Sequence, residues 1–128
     1  MELTDNVGIS KAAGEVVDAN FTRLGHQILT DAATIAMDCA LGCNAKVTLA
    51  GNRTMGAPTN AVAGDGGRIT FIQDATGSRT LAWNAAWKHA GGTDLVLTTT
   101  AAAVDTVEWY TPDGTTFHIV GSSLALAS

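Results

Sequence analysis

The spacing of apolar and polar residues divides the chain near residue 32. In the stretch SKAAGEVVDANFTRLGHQIL, apolar residues fall at Val16, Val17, Phe21, Leu24 and Ile28, with Asp18 and Asn20 on the opposite side. This spacing approximates the 3.6-residue period of a helix. Gly14 and Gly25 weaken a helix, so a short helix and an extended arm both fit. Residues 1–31 therefore read as an N-terminal arm or helix, with Asp31 closing it. From residue 32 the pattern changes to short alternating runs with turn residues between them, the signature of strands. The predicted strands are 33–40, 45–51, 67–74, 78–83, 94–100, 103–111 and 115–121. In GRITFIQD, Ile69, Phe71 and Gln73 share one face, and Arg68, Thr70 and Ile72 the other. In AVDTVEWYT, Val104, Thr106, Glu108 and Tyr110 alternate with Asp105, Val107, Trp109 and Thr111.

Turn chemistry supports these divisions. Turns are expected at Ala75-Thr76-Gly77, at Ala90-Gly91-Gly92 and at Pro112-Asp113-Gly114. In the last, Pro112 fixes φ and Gly114 permits positive φ, so the turn joins two strands as a hairpin. Seven short strands with regular turns predict a mainly β domain over residues 32–128, as a β-sandwich, a jelly roll or a small barrel. No internal repeat is evident in the sequence.

Composition narrows the partners. The 128 residues are 46% hydrophobic and only 15% charged, against roughly a quarter charged in ordinary domains. Gly, Ala and Thr must cover much of the exterior. Charges are depleted at interface cores, so the composition points to a surface occupied by other subunits. Net charge is −5, which excludes a basic nucleic-acid binder. High apolar content with a small net charge argues against disorder. No run of about 18 apolar residues predicts a helical bilayer span. The polar, acidic start MELTDNVGISK does not resemble a secretory signal. Charge is unevenly spread: residues 1–31 carry five acidic and two basic side chains, 32–93 three and five, 94–128 four and none. Such blocks set the register of a head-to-tail contact or pair within one subunit.

Candidate chemistry is sparse. His26, His89 and His118 are scattered. No GxSxG elbow, HExxH or phosphate-binding loop occurs. GDGG at 64–67 lacks the Lys-Ser/Thr of a phosphate cradle and reads as a flexible loop. Asp65, Asp74 and Asp113 sit in turn contexts, where Asp accepts backbone hydrogen bonds. Cys39 and Cys43 form a C-x3-C pair with no histidine nearby, at best half of a zinc site. Core packing, a disulfide and a metal are its three readings, with packing foremost. No catalytic residue, cofactor or metal is expected. Trp83, Trp87 and Trp109 are three of seven aromatics. Trp83 and Trp109 suit a core, whereas Trp87, after two alanines and near a Gly-Gly turn, suits either a core or an exposed binding rim.

Several segments together resemble a known module. They are Gly51 to Thr54, Pro58 to Asn60, Ile72 to Thr80 with Trp83, Gly91 to Thr93, and Ala103 to Gly114. This succession of turns and hairpins resembles a β module recurrent in tailed-bacteriophage virion proteins, including tail fibres and related appendages. The resemblance covers about 90 residues and implies a non-enzymatic structural role, usually as a homotrimer, with no catalytic residues. A small β trimer behind an N-terminal arm is expected to be a capsid decoration (cement) protein, assembled in the host cytoplasm and resident on the virion. Its partners would be two further copies of itself and the major capsid protein. The arm, through Phe21 and Leu24, would dock on the shell by strand addition or as a helix in a groove, and trimerisation would multiply three weak contacts. The alternative is a tail-fibre or tail-tip module in which Trp87 touches the host surface.

Overall fold

The computed structural model describes residues 26–127, and it is mainly β. Strands β1 (His26–Ile28), β3 (Asn44–Leu49) and β5 (Gly66–Gln73) pair in parallel in one sheet. Strands β2 (Thr34–Ile35), β4 (Arg53–Met55) and β6 (Leu81–Trp83) pair in parallel in a second. Because successive strands alternate between the sheets, the chain winds in coils around one core. A parallel pair needs a long crossover, and here each crossover is a strand of the opposite sheet. A bridge between Asp38 and Thr59 adds a third point of parallel contact between neighbouring coils.

The winding then ends. Strands β8 (Val104–Tyr110) and β9 (Phe117–Leu126) form an antiparallel hairpin, with β8 antiparallel to β5. The short β7 (Trp87–Lys88) joins the start of β9 in parallel, giving the order β1-β3-β5-β8-β9-β7. The expected mainly β domain is thus built as a short parallel coil closed by a hairpin.

Inward residues explain the register. Ile35, Met55 and Trp83 stand beside one another across the small sheet and are all buried. Ala45, Ile69 and Val107 do the same across the large one. A one-residue slip would turn each set outward. The coils repeat in space at uneven intervals, 20 residues from Ile35 to Met55 and 28 from Met55 to Trp83. That is why no repeat shows in the sequence. The alternations expected in β5 and β8 hold, with Ile69, Phe71 and Gln73 inward, and Asp105, Val107 and Trp109 inward. The Pro112-Asp113-Gly114 hairpin also forms: Asp113 Oδ1 accepts from the amides of Thr115 and Thr116, and Gly114 has φ 80°.

Three expectations need correction. Residues 26–31 belong to the body, ahead of the expected boundary at 32: β1 pairs with β3, Leu29 is buried, and Asp31 holds Arg53 at 2.8 Å. The strand expected at 33–40 shrinks to Thr34–Ile35, because Asp38 caps a 3-10 turn over Cys39–Leu41. Residues 94–100 form no ladder; side chains take the place of a partner strand. His89 Nδ1 accepts from the Leu95 amide, Asp105 Oδ2 from the Thr98 amide, and Gln73 Nε2 donates to the Thr98 carbonyl.

Candidate functional site

Of the residues expected to contact partners, Phe21 and Leu24 lie outside the described residues. Trp87 is 3% exposed and belongs to the core, so direct contact with a partner is corrected to a packing role. Its indole Nε1 donates to the Gly56 carbonyl at 3.0 Å, and its ring meets Trp83, Trp109 and Phe117. Trp83 and Trp109 are buried as expected, their indoles donating to the carbonyls of Leu95 and Cys43. Each tryptophan therefore satisfies its one polar group on a loop carbonyl while filling the core. Two alanines before Trp87 mark a turn that folds the ring inward rather than an exposed rim.

The titratable groups are spent on structure. Asp31 pairs with Arg53, Asp74 with Arg79, and Arg68 with Glu108. The Arg53 guanidinium, donating to Asp31, holds that carboxyl below its usual range. Arg79 and the Gly77 amide hold Asp74 at about 2. Backbone amides of Thr116 and Thr115 lower Asp113. Cys39 and Cys43 are both free thiols. Burial pushes the Cys39 thiol up to about 12 and raises Cys43 as well. A thiol that does not ionise is a poor nucleophile and metal ligand. Among the described residues, no three His, Cys, Asp or Glu side chains are placed to share a metal ion.

The feature that stands apart is the outer strand. Only Phe117 and His118 of β9 pair with β7. From Ile119 to Leu126 that edge has no partner among the described residues. Natural sheets guard such edges with charge or proline, and residues 119–126 contain neither. Val120, Leu124 and Leu126 are 60%, 42% and 48% exposed along it. Register shifts after Ile119 and after Ser123 bend the strand. The second is held by Asp105, whose carboxylate is buried and accepts from the Ala125 amide at 2.7 Å and the Thr98 amide at 2.6 Å. Sequence alternation stopped predicting a strand at residue 121; the signal for the rest was the uncharged run GSSLALAS.

Beside this edge lies a loop fastened by His89. Its ring is 3% exposed and edge-on to Trp83, with centroids 5.0 Å apart. Nδ1 accepts the Leu95 amide at 3.0 Å. The neutral ring therefore carries its proton on Nε2, which has no hydrogen-bond partner among the described residues. The nearest anionic atom is Asp94 Oδ1, at 3.7 Å. Burial lowers the His89 pKa, opposed in part by the Asp94 charge. A cavity of about 450 Å³, bordered by Trp83, Asn84, Lys88, His89 and Asp94, opens here. A groove on the other side is lined by His89, Leu95 and residues 119–122 of β9. Comparison of the chain with protein-family profiles, curated proteins and solved structures finds no match.

Proposed function

We propose that this protein is a non-enzymatic structural subunit of a tailed-bacteriophage virion, a homotrimeric decoration protein that binds the major capsid protein and braces the head shell. The observation that supports self-assembly is the uncharged, unpaired β9 edge with Val120, Leu124 and Leu126 exposed on it. An edge of this kind pairs readily with another chain. A second copy suits it, since residues 119–126 bring no like charges into opposition. Low overall charge supports the same reading, because the exterior is built from residues that interfaces tolerate. The assignment to a virion rests on the resemblance of the segments between Gly51 and Gly114, and that to its head on a small β body behind an N-terminal segment.

Two measurements test it. Light scattering on the purified chain is expected to give three times the 13.1 kDa chain mass. Leu124→Lys is expected to shift that mass toward the monomer while leaving the far-ultraviolet spectrum unchanged. A wild-type chain that stays monomeric at tens of micromolar overturns the trimer. Antibody labelling of particles released from cells that carry the gene tests the location. Label on heads supports decoration, label on tails supports a tail module instead, and unlabelled particles overturn the virion reading.

A further inference from the structure

We infer that His89 is a proton-operated latch that holds the loop Ala90–Leu95 closed beside the β9 edge at neutral pH and releases it in acid. The inference does not depend on where the protein resides. The Leu95 amide is a donor, and it points at His89 Nδ1 across 3.0 Å. An imidazolium carries protons on both nitrogens. Protonating His89 therefore sets two donors against each other, and the closed loop loses the bond that fastens it. Leu95 is the fastening point on both sides, since its carbonyl accepts from the Trp83 indole at 2.9 Å.

The loop is built to move once unfastened. Residues 90–94 are exposed, and Gly91 and Gly92 take φ 68° and 75°. Within it, the Gly92 amide bonds to the His89 carbonyl and the Thr93 amide to that of Ala90. The surroundings offer a buried imidazolium little compensation. The face from β6 is Trp83, and the groove from β9 presents Ile119, Val120, Gly121 and Ser122, all uncharged. From β7, the Lys88 ammonium donates to the Ala85 carbonyl and brings a like charge. Among the described residues, Asp94 is the one anion facing the ring, 3.7 Å away and itself 64% exposed to water. Burial accordingly outweighs Asp94 and lowers the His89 pKa.

The sign follows from linkage. An exposed histidine titrates near 6.5. The closed loop, with its lowered pKa, excludes a proton that the open loop binds. The closed state is fully favoured above about pH 6.5 and loses that advantage as pH falls through the pKa of the closed form. Each pH unit in that window multiplies opening about tenfold. Opening uncovers the flank of β9 along Ile119–Ser122, so acid changes the surface beside the proposed subunit edge.

Hydrogen exchange and nitrogen-15 spectra of the full chain test this. At pH 7.5, His89 is expected to show a protonated Nε2 and a bare Nδ1. Between pH 7.5 and 5.0, protection of the Leu95 amide is expected to fall by more than about twofold beyond the intrinsic change in exchange rate. The Trp83 indole is expected to follow, while amides of the β5/β8 ladder stay protected. In His89→Gln, Leu95 protection is expected not to depend on pH. If that variant fails to fold, the wild-type titration decides alone. The latch is overturned by a proton on Nδ1 at pH 7.5, by a His89 pKa at or above 6.5, by Leu95 protection that changes less than about twofold, or by acid opening that persists in His89→Gln.

Discussion

Removing the Asp105 carboxylate is expected to loosen two segments at once. The side chain is 2% exposed and has no cationic partner among the described residues, yet it joins β8 to both the 94–100 segment and the end of β9. Its two bonds, at 2.6 and 2.7 Å, are short and charge-assisted. Each such bond contributes about 1.5–3 kcal/mol. Deleting the carboxylate also relieves the desolvation of a buried charge, so the gross loss is partly offset. The expected net loss for Asp105→Ala is about 2–4 kcal/mol. At about 4 °C per kcal/mol, the melting temperature falls by about 8–16 °C. Asp105→Asn keeps the shape but turns an amide donor toward one backbone donor, and is expected to lose about 1–3 kcal/mol. Urea unfolding followed by tryptophan fluorescence gives the global value, and hydrogen exchange at Thr98 and Ala125 gives the local one. If Asp105→Ala lies within about 0.5 kcal/mol of wild type, the two bonds do not hold these segments and the account of the β9 bend fails.

Three further outcomes follow from the geometry. Trp87→Ala is expected to destabilise by about 3–5 kcal/mol in chemical unfolding, the cost of a vacated aromatic site in a core; an unchanged midpoint would restore a surface role. Gly77 has φ 71°, and a Cβ there would lie 2.6 Å from the Ala101 nitrogen, so Gly77→Ala is expected to lose about 1–3 kcal/mol on thermal unfolding. The Asp74 carboxyl is held at about 2 against an ordinary 3.8. Its contribution is therefore complete above about pH 4 and disappears as pH falls through 2. Asp74→Asn is expected to melt lower than wild type at pH 7 and to show a flatter dependence of melting temperature on pH between 4 and 2.

Much of the fold was legible because local chemistry and tertiary contact agree in its longest strands. In β5 and β8 the period-2 pattern matches burial residue by residue, and the Pro112-Asp113-Gly114 turn is closed by its own Asp113. Legibility failed where strands are short. Arg53–Met55 and Trp87–Lys88 are too brief to alternate, and coil packing alone extends them. It failed again at 94–100, where the β-like run DLVLTTT is extended but bonded through His89, Gln73 and Asp105. Gln73 comes from 25 residues away, while His89 and Asp105 lie just outside the run, six and seven residues from the amides they accept, and no alternation announces any of them. Trp87 could be read either way, because two alanines are equally at home in a turn and on a rim. His89 was visible only as one of three scattered histidines; its role depends on Leu95 and Trp83, which the fold brings to it.

The antiparallel hairpin has a further consequence for polymerisation. A parallel coil can in principle be lengthened by another coil at either terminus, which is how fibrous stacks grow. At the β5 side of the large sheet the reversed β8 already occupies the ladder. An incoming parallel turn finds no matching acceptor row there. Lengthening of the parallel ladder is thus stopped on that side, and the backbone row left free beyond it belongs to the reversed hairpin strand β9.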